Sequence, residues 1–264
     1  MLEKTYDQLA MAKQLLNDGH YKGLVAEWYD DLLAAETKDI EFYTDIIRPG
    51  DSPALELACG TGRVLIALLK NGVPTDGLDL SQPMLDICRR KIEDGQFHSN
   101  LFRQDFSSFK TGRKYQTIFV SGGSFQLMPT TELALKALKL INNHLLPGGR
   151  FICDLWIPWD EIVNHQPGVW KTGRVATRPD GQKLVVTYSK SFDLINQAQT
   201  GIFKYEWYKD GHLNETHLDE ITLKWFGVEE FKYMLEKTGF INVSMQEKPM
   251  MSSHGISTVY IATK

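Results

Sequence analysis

From residue 51 to residue 155 the chain alternates short, continuous apolar runs with longer amphipathic ones. The apolar runs predict strands over 54–58, 74–79, 101–104, 115–120 and 150–155. Between them, apolar residues recurring every three to four positions predict helices over 63–71, 84–93 and 131–145. Strands read as buried on both faces and separated by helices predict a doubly wound, mostly parallel α/β sheet. In such sheets ligands sit beyond the carboxyl ends of the strands, near the point where strand order reverses.

The pattern changes on either side of this stretch. Before it, Leu9, Ala12, Leu15 and Leu16 keep helical spacing until Asn17-Asp18-Gly19, and two further short helices are expected over 24–35 and 38–47. Tyr21, Trp28, Tyr29, Phe42 and Tyr43 make residues 1–50 more aromatic than a spacer needs. After it, residues 156–225 read as two hairpins. Strands over 171–177 and 184–192 flank Arg178-Pro179-Asp180-Gly181, and strands over 201–208 and 213–223 flank Lys209-Asp210-Gly211. Asp-Gly marks such turns because glycine takes the positive φ they require. A helix over 228–237 and strands over 241–246 and 258–262 then resume the α/β pattern. The expected organisation is therefore an N-terminal helical lid over 1–50, an α/β unit over 51–155 and 226–264, and an antiparallel β insert over 156–225 covering its site.

Composition narrows the setting. Of 264 residues, 42% are hydrophobic and 23% charged, as in a globular chain with ample core. No stretch reaches the roughly 18 unbroken apolar residues of a membrane span, and residues 1–7 lack the apolar centre of a secretory leader. Cys59, Cys88 and Cys153 have no metal-ligand spacing, so no metal is expected and a reducing, cytoplasmic compartment fits. With 29 basic against 33 acidic residues the net charge is −4, and nothing suggests a grip on nucleic acid.

The sharpest chemical feature is Leu55-Glu-Leu-Ala-Cys-Gly-Thr-Gly-Arg63, which ends the first strand and opens the first helix. Glycines there let a ligand approach the backbone, and the helix start offers free N–H donors. The dinucleotide fingerprint needs a third small residue, but Leu65 or Arg63 falls there, and no Gly-Lys-Ser/Thr completes a phosphate loop. The loop resembles that of class I S-adenosylmethionine-dependent methyltransferases, and further motifs follow in the family's order. Gly77-Leu-Asp-Leu-Ser81, Arg103-Gln-Asp-Phe106, the run from Tyr115 to Phe125, Leu145-Leu-Pro-Gly-Gly149 and the Trp225-to-Phe240 stretch are each similar to a family motif. The departure is Ala58, where the family usually has glycine.

The resemblance implies S-adenosyl-L-methionine as cofactor, with S-adenosyl-L-homocysteine as product. It implies that Glu56, Ala58, Gly60, Gly62 and Arg63 surround it, that Asp79, with Leu80 beside it, accepts the ribose hydroxyls, and that Met84, Asp105 and Phe106 meet the adenine. Val120 and Gly122 would face the methionyl end and Tyr29 would close over the cofactor. Taken singly, Asp79 and Asp105 also read as helix caps or turn residues, and Met84 as core.

The acceptor follows from exclusions. Val120-Ser-Gly-Gly replaces the Asn/Asp-Pro-Pro-aromatic run of base-amino methyltransferases, and Cys153 reads as core rather than as a nucleophile. The insert carries 8 basic and 9 acidic residues, which is no polyanion grip. The organisation resembles the small-molecule branch, so methylation of a small molecule at an amine nitrogen is expected. The alternatives are an O-methyltransferase and a non-catalytic cofactor-binding module. Tyr29, Ser124, Trp156, Arg174, Tyr205 and Trp225 are the candidate substrate contacts, although the insert's tryptophans also read as its own core and Arg174 as a solvated strand residue. No catalytic base is assigned, and a monomer or homodimer without nucleic-acid or membrane partners is expected.

Overall fold

The computed structural model describes residues 21–249 and 256–264. The helix expected around Leu9 to Leu16 lies outside them. The alternating runs build one seven-stranded sheet from β1 (Ala54–Leu57), β2 (Thr75–Asp79), β3 (Leu101–Arg103), β4 (Tyr115–Val120), β5 (Leu145–Leu155), β10 (Ile241–Pro249) and β11 (Ile256–Thr263). The strand order is β10-β11-β5-β4-β1-β2-β3. The five strands from β3 to β5 run parallel, while β11 pairs antiparallel with β5 and β10 with β11. Because β1 pairs with both β2 and β4, strand order reverses at β1. The crevice there is the ligand position such topology dictates.

Strand alternation divides the core between two faces. Leu55, Leu57, Ile118 and Phe151 pack on one face with Leu138 and Ile141 of α6 (Thr131–His144) and with Phe231 and Leu235 of α8 (Val228–Lys237). Ala54, Phe119, Ile152 and Val259 pack on the other, against Val64 and Leu68 of α4 (Arg63–Lys70) and Tyr43 and Ile47 at α3 (Lys38–Ile46). Helix α5 (Gln82–Asp94) follows β2, with the Ser81 hydroxyl accepting from the Met84 amide as an N-cap.

The insert contains α7 (Trp159–Val163) and a four-stranded antiparallel meander of β6 (Lys171–Thr177), β7 (Lys183–Asp193), β8 (Ala198–Lys209) and β9 (His212–Lys224). Both turn glycines, Gly181 and Gly211, take positive φ. Ala176, Leu184, Val186 and Tyr205 on its inner face pack against Leu24, Val25 and Trp28. Those three belong to α1 (Gly23–Glu27) and the residue joining it to α2 (Tyr29–Leu32).

Two expectations are corrected. The helix expected over 24–35 is two short ones, broken at Trp28, whose ψ of 4° leaves the helical region as its ring enters the junction with the insert. The insert's tryptophans do not form a common core. Trp225 is buried and Trp207 joins the inner face, but Trp159 and Trp170 are 63% and 50% exposed. Among the described residues no helix is long and apolar enough to cross a membrane.

Candidate cofactor and substrate site

The site is built where the glycine loop leaves β1. Ala58, Gly60 and Gly62 all have positive φ, at 56°, 55° and 78°, so the loop coils tightly before α4 begins. A Cβ on Gly60 would meet no atom within 4 Å, so this glycine faces open space, whereas one on Gly62 would lie 2.5 Å from the Cys88 sulfur. Gly60 thus leaves room for a ligand against the backbone, and Gly62 permits close packing on α5. Asp79, at the end of β2, binds the loop to its own strand end. Its carboxylate accepts from the Gly60 amide and the Ser81 amide, each at 2.8 Å. Burial pushes the Asp79 carboxyl up, and those backbone donors pull it back.

On the β1 side, Glu56 is buried, with one oxygen accepting from the Ser121 hydroxyl at 2.9 Å and the other, Oε2, lacking a hydrogen-bond partner. Burial pushes its carboxyl well above the usual range, while the Ser121 hydroxyl and the nearby Leu65 amide act in the opposite direction. A buried acceptor left unfilled is costly, so this oxygen suits a cationic donor. After β4, the Gly122 amide donates to Asp154 at 3.0 Å, and Ser124 Oγ donates back to the Ser121 carbonyl. At the end of β3, Asp105 is exposed and accepts from the Ser107 amide at 2.7 Å, while the Phe106 ring packs into the core beside Phe125. Leu80 is half-buried, its carbonyl accepting from Arg103. Met84 is buried in α5.

The N-terminal helices lie over this loop. Asp30 accepts from Thr61 Oγ1 at 2.7 Å and pairs with Lys91 at 2.6 Å, and the Tyr21 carbonyl accepts from Ser81. Tyr21 and Tyr29 meet edge to face at 5.6 Å. Tyr29 lies near Arg63, Asp79 and Arg174, and burial pushes its phenol up to about 12. Tyr205 comes from the insert into the same group, and burial, with the Asp219 carboxylate nearby, pushes its phenol up as well.

The candidates divide accordingly. Glu56, Ala58, Gly60, Asp79 and Tyr29 are brought to one end of the sheet, with Val120 and Gly122 beside them. Arg63 reaches away to the N-terminal segment, pairing with Asp39 at 3.0 Å and bonding the Glu36 carbonyl. Arg174 faces Glu36 at 3.6 Å. Trp156 lies against Gly123, where a Cβ would overlap its ring, and Gln126 bonds its backbone at both ends. Trp225 is buried, its amide donating to the Gln197 carbonyl.

Sequence reasoning missed three residues. Arg178, at the first hairpin turn of the insert, bonds Glu27 and Asp31 and stacks 3.7 Å from the Trp28 ring centroid. Asp30 and Asp154 are the others. Each is an ordinary surface-type residue in the sequence, and its role depends on partners 31 to 151 positions away, so no local spacing signals it.

Residues 54–149 match the family model described as a methyltransferase domain. Over these residues the chain is similar to methyltransferase domains. The match spans β1 through the turn inside β5, so the domain includes the loop and strand ends just described. Over 126 residues the chain is 34% identical to a dTDP-3-amino-3,4,6-trideoxy-α-D-glucopyranose N,N-dimethyltransferase of Streptomyces venezuelae, covering 47% of this chain and 50% of that one. It is 29% identical to a second amino-sugar N,N-dimethyltransferase, from Streptomyces fradiae, covering 59% and 61%. The chain therefore spans half to about three fifths of these curated relatives. The solved structure of DesVI from Streptomyces venezuelae superposes with a TM-score of 0.74 at 22% identity, covering 92% of this chain and 99% of that one. A methyltransferase structure from Clostridium acetobutylicum gives 0.71 at 20%, covering 90% and 96%. The methyltransferase domain and its antiparallel insert thus share their fold with solved proteins over nearly the whole chain.

Proposed function

We propose that this protein is an S-adenosylmethionine-dependent methyltransferase acting on an amine nitrogen of a small molecule. The observation that carries the reading is the polar cradle at the switch point. Asp79, open Gly60 and the unpartnered oxygen of buried Glu56 stand together at the carboxyl ends of β1 and β2. The likeness to two amino-sugar N,N-dimethyltransferases supports nitrogen as the acceptor.

The residues fit the cofactor. Asp79 would accept the ribose hydroxyls, Asp105 and the Phe106 amide would meet the adenine, and Glu56 would face the methionyl ammonium, with Gly122 at the same end. When bound, the cofactor supplies a methyl group already activated by a sulfonium. The chain's task is then to align the acceptor and keep water out, and positioning of this kind is worth about 7–11 kcal/mol of barrier. Tyr21 and Tyr29 cover the Asp79 side, and the N-terminal helices act as a lid over the loop. The insert serves as the substrate cover, with Tyr205 and Arg174 turned toward Tyr29. Aromatic walls there would hold a cationic amine at about 0.5–2 kcal/mol per ring contact.

The test is calorimetry with S-adenosylhomocysteine, followed by transfer of labelled methyl from S-adenosylmethionine to a panel of amino sugars and simple amines. Micromolar binding together with label on nitrogen is the expected result. Binding without transfer to any amine, alongside transfer to hydroxyl acceptors, would overturn the nitrogen assignment.

A further inference from the structure

Lys248 is 2% exposed, and no step of the proposed reaction uses it. It leaves β10 opposite Ser257 of β11, and its ammonium lies 3.0 Å from Asp154 Oδ2 at the end of β5. The Phe42 and Tyr43 rings stand 5.5 and 5.1 Å from it. None of its N–H groups has hydrogen-bond geometry to an acceptor among the described residues, so charge and ring faces hold it. The other oxygen of Asp154 is fully engaged. It accepts from the Tyr43 hydroxyl at 2.5 Å and from the Gly122 amide at 3.0 Å, and the same hydroxyl lies 3.1 Å from the Val120 carbonyl.

Burying an ion pair can cost more in desolvation than it returns in attraction unless good geometry and further hydrogen bonds compensate. Here the carboxylate joins four elements: the loop leaving β4, the end of β5, helix α3 and, through Lys248, β10. Removing the ammonium would leave the carboxylate uncompensated and its hold on the Gly122 amide at risk. Ser121 in the same loop donates to Glu56, so the loop's position also sets where the free Glu56 oxygen points.

We propose that the Lys248–Asp154 pair is a positioning device for the methyl-donor end of the site, fixing the loop from Ser121 to Gly123 and tying it to α3 through Tyr43. It rests on the methyltransferase reading, because only that reading puts the donor's methionyl end against this loop. The adenosine half of the cofactor, held at Asp79 and Asp105, lies outside the network.

That division supplies the test. Wild type, Lys248→Arg, Lys248→Met, Tyr43→Phe and the double variant Lys248→Met/Asp154→Leu, all as the full chain, are titrated with S-adenosylhomocysteine and with adenosine. Amide exchange is followed over residues 119–127 and 54–57. The double variant removes both charges together, so it keeps a near wild-type melting temperature. It is expected to bind adenosine within about twofold of wild type and S-adenosylhomocysteine about tenfold more weakly, the scale of one lost charge-assisted hydrogen bond. Exchange over 119–127 should quicken about tenfold while 54–57 stays unchanged. Lys248→Arg recovers most of the loss, and Tyr43→Phe, which removes one hydroxyl, shows the same split at about threefold. Should the Lys248 variants fail to fold, Tyr43→Phe alone decides. Equal loss of both ligands, or no loss of either, overturns the positioning role. A wild-type chain that binds adenosine but gains nothing from the homocysteine moiety overturns the cofactor reading, and the proposal with it.

Discussion

The two sheets of this protein are covered on different terms. In the seven-stranded sheet, helices close both faces, and all four residues of β1 and five of six in β4 are buried. In the four-stranded insert only the inner face packs, on the N-terminal helices and, beside them, on α7, while Val175, Ile202 and Leu218 stand exposed. The first sheet owes its position to apolar packing on two sides. The second is held to the N-terminal helices largely by one apolar cluster and by the ion pairs of Arg178 with Glu27 and Asp31. In the proposed function the first sheet carries the cofactor at its strand ends, and the second covers the substrate.

The largest expected effect tests the large sheet. Asp79→Ala removes the proposed ribose acceptor, which is also the carboxylate that gathers the Gly60 and Ser81 amides. Two charge-assisted hydrogen bonds are at stake, so the affinity for S-adenosylhomocysteine should fall about a hundredfold or more by calorimetry. An unchanged affinity would remove the cofactor site from the end of β2.

Next comes the insert. Arg178→Ala deletes two partly exposed ion pairs and the stacking on Trp28, together about 1–2 kcal/mol of docking. Amide exchange over 23–32 should then quicken about tenfold while 54–57 does not change. If both regions quicken alike, the two sheets share one cooperative unit and the contrast between them fails.

What the sequence disclosed follows the same divide. The central strands of the large sheet are legible because buried parallel strands write short apolar runs, and β4 and α8 fall on the expected residues. The glycine loop and Asp79 are legible because their roles come from local backbone geometry at a strand end. The insert's strands were also readable, from their Asp-Gly turns, but not the fate of its side chains. Trp159 and Trp225 look alike in sequence, and only the docking of the insert decides that one is exposed and the other buried. Arg178 stayed hidden inside a turn motif, since its partners lie some 150 positions earlier. The break of the helix at Trp28 likewise comes from tertiary packing, against which local propensity is a weak guide.

A smaller effect concerns Glu56. Its carboxyl is raised by burial, so the folded chain without cofactor favours the protonated form more than the unfolded chain does. The sign follows: full stability is present below the ordinary 4.5, and it is lost as pH rises through the raised folded value. Glu56→Gln should therefore flatten this pH dependence and melt a few degrees higher than wild type at pH 8. With saturating S-adenosylhomocysteine the order should reverse, because only the carboxylate gains a cationic partner. Thermal melts across pH 5 to 8, with and without ligand, check both halves, and an unreversed order would take Glu56 out of the cofactor site.

The smallest effect tests the one departure from the family's loop. Ala58 holds a φ of 56°, a left-handed conformation that costs an L-residue about 1–2 kcal/mol and costs glycine almost nothing. Glycine returns part of that through the greater freedom of its unfolded chain, which leaves Ala58→Gly more stable by about 0.5–1 kcal/mol in urea unfolding. The site should register the change far less, since Gly60, which faces open space, is left unchanged, and S-adenosylhomocysteine affinity should move by less than about threefold. A loss of stability instead would mean that the Ala58 methyl packs well enough to outweigh its backbone strain. The loop would then be held by side-chain contacts like the rest of the large sheet, and its coiled backbone would be a consequence of packing rather than its cause.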